Sequence, residues 1–196
     1  VGDADAIAIA SGGVVTFSQN TVGAGGMDLI LSDTISSAVA DYDITSTYIN
    51  SSYDSYYLVM TLIPVNDNVS LQMQVFVGGT LDQGANYGSE IGTFDGGAVQ
   101  TSDSQDHIDL VRYNVGSAAG EGFSLVGTFT NINATNLPFS FQGTSHSAGT
   151  AAAPVSAIIF AGHKPDQAGG VVNGIRIDFS GGNIESGSVQ LYGLRK

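Results

Sequence analysis

The chain has 196 residues, no cysteine, and 18 acidic against 5 basic residues, a net charge of −13. That length supports one domain with a real core and no disulfides, and the charge excludes generic binding to nucleic acid or insertion at anionic membranes, which need Lys and Arg. No apolar run reaches the roughly 20 residues of a spanning helix, no signal peptide opens the chain, and with 12% charged residues and 27 glycines the vocabulary of surface helices is missing.

Hydrophobic alternation has period two almost throughout, which predicts strands. Ile7 with Ile9 and Val15 with Phe17 read as two short strands around Ser11-Gly12-Gly13. A flexible stretch at 21–26 then reads as a hinge, so residues 1–26 are an extended β arm and 27–196 the body. A lone two-stranded hairpin is marginal in water, so the arm needs a partner: the body or other copies of the chain. Residues 56–63 are apolar at both parities, the pattern of a central strand covered on both faces. After a turn at 64–68, residues 69–77 put Leu71, Met73, Val75 and Val77 on one face and Gln72 and Gln74 on the other. Residues 78–105 are rich in Gly, Ser, Asp and Asn without a sustained period and read as long loops, which are often functional. Alternation resumes at 108–113, 123–129 and 139–142, and residues 155–160 form another apolar run. It is clearest at Ile175, Ile177 and Phe179, and again at Val189 and Leu191. About ten strands at this spacing predict an all-β fold, a jelly-roll-like two-sheet sandwich preceded by the arm.

The search for chemistry is largely negative. There is no Gly-x-Ser-x-Gly elbow, and Ser145 and His146 are sequence neighbours that a strand would point to opposite faces. His107, His146 and His163 read as surface or core-edge residues. Asp103, Asp106 and Asp109 are spaced suggestively for calcium but lack the glycine and terminal glutamate of an EF-hand, so metal binding stays open. Two carboxyls at glycosidase spacing, roughly 5–10 Å, would occur by chance among this many aspartates. Asn50, Asn68 and Asn133 begin glycosylation sequons that this composition also produces by accident. The expectation is a protein without enzymatic activity or cofactor. Tyr87 and Phe94 sit in the presumed long loops beside Asp82, Glu90, Asp95 and Asp103. There they offer contact area for a neutral or cationic partner, or else fold inward and anchor the loop.

The segments Ser52-Tyr53-Asp54-Ser55-Tyr56-Tyr57-Leu58-Val59-Met60 and Asn66-Asp67-Asn68-Val69-Ser70-Leu71-Gln72-Met73-Gln74 resemble a domain of tailed-bacteriophage structural proteins. Residues 174–194, ending Gly187-Ser188-Val189-Gln190-Leu191-Tyr192-Gly193-Leu194, are similar to that domain's closing motif, and residues 6–19 to the segment that precedes it in fibre proteins. The resemblance covers residues 4–22, 45–85 and 172–196 and implies a virion structural protein: a tail fibre, head fibre or capsid decoration component at the particle surface. Homotrimers are usual there, in contact with other virion proteins and with a host-surface glycan or protein; no functional residue transfers. In a trimer the arm's Ile7, Ile9, Val15 and Phe17 would face a shared axis. Two alternatives stay open: a capsid-cementing protein without ligand that docks through its arm, and a secreted bacterial carbohydrate-binding or carbohydrate-hydrolysing sandwich.

Overall fold

The computed structural model describes residues 7–9, 15–17, 26–93, 99–135, 137–149, 152–163 and 170–194. No described residue is helical. The first strands are β1 (Ile7–Ile9), β2 (Val15–Phe17), β3 (Met27–Ile35), β4 (Asp41–Ile44) and β5 (Ser55–Pro64). Then come β6 (Leu71–Val77), β7 (Thr80–Leu81), β8 (Tyr87–Thr93), β9 (Gln100–Gln105) and β10 (Ile108–Asp109). The chain continues through β11 (Gly122–Thr130), β12 (Phe139–Gly149), β13 (Ala152–His163), β14 (Val172–Phe179) and β15 (Ile184–Leu194).

β1 and β2 form a two-stranded sheet of their own, and the remaining strands form two antiparallel sheets. The larger runs β3-β15-β5-β11-β12-β13-β8-β9; the smaller runs β10-β6-β14-β4, with β7 added to β6. Four successive-strand pairs, β3/β4, β5/β6, β10/β11 and β14/β15, each carry the chain from one sheet to the other. They follow the same spatial order in both layers, 3-15-5-11 in one and 4-14-6-10 in the other. Stacked arches of this kind give the predicted jelly-roll-like sandwich, because each arch places one apolar face of each strand in the shared core.

The core joins Tyr56, Leu58, Met60 and Leu62 of β5 to Met73, Val75, Ile175 and Ile177 of the smaller sheet, all within 1% of full burial. Tyr56 can be buried because its hydroxyl donates to Asn50 O at 2.7 Å and accepts the Asn50 N–H at 2.9 Å. Gly127 and Gly143 lie opposite each other on β11 and β12, and the ring of Phe141 occupies the space their missing side chains leave. Phe141 in turn packs on Phe129, ring centres 5.2 Å apart.

Two expectations need correction. β5 is not covered on both faces within one chain: its burial alternates strictly from Ser55 to Met60, and Tyr57, Val59 and Ile63 are only half-buried. Residues 78–105 are not long loops either, because β7, β8 and β9 lie there. β6 turns into β7 through Gly78 and Gly79, whose φ of 59° and 86° suit the two-residue hairpin that matches strand twist. β8 hides its alternation because Tyr87, Ser89 and Ile91 face the core with a serine in the middle. β9, Gln-Thr-Ser-Asp-Ser-Gln, is the polar edge of the larger sheet and carries no hydrophobic signal at all.

Candidate functional site

The arm's register pairs Ile7 with Phe17 and Ile9 with Val15, with Ala8 opposite Thr16 between them. Directly opposed residues share a face, and so do residues two apart. The four positions singled out for oligomerisation therefore fall on one face of the two-stranded sheet.

Tyr87 is not an interaction platform. It is 1% exposed, and its ring lies against His163 with centres 4.6 Å apart. Its hydroxyl accepts the Val75 N–H at 3.1 Å and donates to Asp82 O at 2.7 Å. The physical reason lies in β6, whose outer edge pairs with β10 at Gln72 and Met73 and with β7 at Phe76 and Val77, leaving Val75 between them. There the Tyr87 hydroxyl takes the Val75 N–H while the Asp82 N–H reaches Val75 O at 2.9 Å. Two local groups thus complete a ladder that no described strand continues. Phe94, the other aromatic of that expectation, lies outside the described residues, as does Asp95.

Of the surface or core-edge placements expected for the histidines, His163 takes the inner one, being 1% exposed. Its Nε2 meets Asp82 Oδ2 at 2.7 Å, while Nδ1 is buried without a hydrogen-bond partner among the described residues. Burial pushes the Asp82 carboxyl up, but the Gly84 N–H, His163 and the Asn86 amide outweigh that and hold it below the usual aspartate range. This cluster ties the β7–β8 connection to the end of β13.

The three aspartates considered for calcium are drawn to other partners. Asp103 accepts the N–H of Ser104, which stands at φ 56°. Asp106 and Asp109 meet opposite nitrogens of His107, Nδ1 at 2.6 Å and Nε2 at 3.3 Å. Among the described residues no group of three or more His, Cys, Asp or Glu is placed to hold a metal ion.

His107 borders the charged outer face of the smaller sheet. Register aligns Asp43, Arg176 and Gln74 in one row and Asp41, Asp178, Gln72 and Asp109 in the next. Arg176 grips Asp43 with two bonds of 2.7 Å and comes within 3.5 Å of Asp41. Asp178 has a buried Oδ1 without a partner among the described residues. Burial raises its carboxyl above the ordinary aspartate value, although Arg176 and His107 pull the other way.

The outer face of the larger sheet is the opposite in kind. One row across it reads Leu29, Tyr192, Tyr57, Thr128, Gln142, Phe160. The next reads Ser32, Gln190, Val59, Val126, Thr144, Ile158, and a third Thr34, Ser188, Thr61, Ser124, His146, Ser156. No Asp, Glu, Lys or Arg occurs in these rows from β3 to β13; charges border them at both ends, the exposed Asp33 between Ser32 and Thr34 on the β3 edge and Glu90 on β8, opposite Phe160. Leu29 and Phe160 are each 55% exposed and Val126 37%. Tyr57 and Tyr192 meet edge to face at 6.3 Å. Sequence reasoning missed this surface, although its signal was present as apolar residues at both parities of 56–63 and 155–160.

The remaining candidates have structural duties. Ser145 is buried while His146 faces out and pairs with Ser156 Oγ at 3.1 Å. Asn68 and Asn133 take positive φ in turns, and Asn50 Oδ1 accepts the Ser52 N–H. Compared with protein-family models, curated proteins and solved structures, the chain matches none.

Proposed function

We propose that the chain is a structural protein of a tailed-phage virion, a tail fibre, head fibre or decoration component that projects its sandwich from the particle and meets a host surface. The observation that carries this reading is where the resemblance falls. Its two body segments become β5 with β6 and β14 with β15, and these arches are neighbours in both sheets. Tyr192 pairs with Tyr57 and Gly193 with Tyr56, so the closing motif lies directly beside the first segment. The motif glycine has a physical reason: a side chain at Gly193 would come within 2.5 Å of the Tyr53 ring.

The distribution of charge supports the same reading. A protein with a charged outer face on one sheet, three uncharged outward rows on the other and an arm whose four apolar positions share a face is suited to sit in an assembly with one side out. The polar clusters found are engaged in holding strands and connections together, which suits a scaffold and attachment role rather than catalysis. Electron microscopy of purified particles labelled with gold-conjugated antibody against the chain tests this. Label at the tail or on the head surface is expected; particles without label, with the chain recovered only as free protein, would overturn it.

A further inference from the structure

We infer that the outer face of the larger sheet is a contact surface between copies of this chain. The inference goes beyond the virion reading and stands without it.

The first argument is charge. A chain of net charge −13 repels its own copies, so two can meet closely only where neither presents a carboxylate. The six strands from β3 to β13 offer such a region, with three uncharged rows in register. The smaller sheet does not, since its outward rows hold Asp41, Asp43, Asp109 and Asp178 against the single cation Arg176. Depletion of charge around aromatic and aliphatic side chains is what marks the centre of a protein interface.

The second argument is pattern. β5 is apolar at both parities, as a strand covered on both sides would be. One chain covers only the inner side and leaves Tyr57 and Val59 in the outer layer with Val126 beside Val59, and Ile158 and Phe160 three strands from β5 beyond Thr144 and Gln142. Another copy supplies the missing layer. The aliphatic character of Val59, Val126 and Ile158 favours a protein partner over a sugar, which would stack on aromatic rings and need dense hydrogen bonding.

Six strands about 4.8 Å apart and three rows about 7 Å apart give a footprint of about 600 Å². A standard interface buries about 800 Å² per partner. The face therefore supplies most of an interface but not all of it, and the arm with its four one-sided positions is a ready source of the rest.

The test is sedimentation of the full chain with Thr144→Glu, which places a carboxylate at an exposed position in the middle row. Val126→Glu serves as a second variant and Gln74→Glu, on the opposite sheet, as the control; circular dichroism verifies that each is folded. The unsubstituted chain is expected at a multiple of its 20.0 kDa. Thr144→Glu and Val126→Glu are expected to raise the dissociation constant by about a hundredfold, since like charges facing each other across an interface are strongly unfavourable. Gln74→Glu should leave the mass unchanged. A 20.0 kDa species for the unsubstituted chain would overturn the inference. So would folded variants that keep the full oligomer mass, whether they then dissociate only on removal of residues 1–22, placing association in the arm, or lose retention on neutral polysaccharide, assigning the face to a glycan.

Discussion

Replacing Tyr87 by Phe keeps the ring that fills the core beside His163 and removes only the hydroxyl. The Val75 N–H, which the hydroxyl accepts at 3.1 Å, then has no acceptor among the described residues, because no described strand pairs with β6 at Val75 on that edge. Leaving a buried donor unpaired costs about 1–3 kcal/mol. Asp82 O, which loses the donor at 2.7 Å, belongs to a partly exposed residue that water can reach, so it adds little. A net loss of about 2 kcal/mol corresponds to a fall in Tm of about 4–8 °C for a chain of this size. Urea unfolding followed by circular dichroism reads the loss as a lower midpoint, at fixed protein concentration because association would shift it. Amide hydrogen exchange at Val75 provides the local readout and should speed up in the variant. An unchanged midpoint together with unchanged protection at Val75 would show that the hydroxyl does not complete the ladder, and the placement of β8 against β6 would need revision.

Gly193→Ala should cost about 1–3 kcal/mol through overpacking against Tyr53; thermal denaturation that matches the unsubstituted chain would contradict that contact. Asp178→Asn should raise Tm near neutral pH. Burial raises the folded carboxyl above its unfolded value, so stability falls as pH rises from the ordinary aspartate range through the folded value. Parallel Tm-against-pH curves for the two proteins would refute it. Asp82→Asn has the opposite sign: its carboxyl is held low by donors, so its contribution is present above the ordinary aspartate value and lost as pH falls through the folded value. The variant should be less stable at neutral pH and converge with the unsubstituted chain in acid, and a gap that persists in strong acid would rule out this account.

The strands that read clearly in the sequence are those with one uninterrupted apolar face, such as Leu71-Met73-Val75 in β6 and Ile175-Ile177-Phe179 in β14. β8 was illegible because Ser89 occupies a core position, and β9 because an edge strand has no core face to record. Tyr87 illustrates the cost of that gap. An aromatic among Gly, Ser and Asn reads as an exposed loop residue until the strand around it is known. The charge-free face was hidden for a different reason: it exists only once register aligns six strands that are scattered from Leu29 to Tyr192 in the chain. The apolar residues at both parities of 56–63 predict two covered faces, and the chain itself buries only one of them.

The most direct measurement of the central claim is a density map of the intact particle at a resolution that traces strands. It should show this sandwich at the particle surface in several copies, with the larger sheets turned toward one another and the Arg176 face toward solvent. Particles with no density for the chain, or copies that meet through the charged sheet and leave Val126, Ile158 and Phe160 in water, would contradict it.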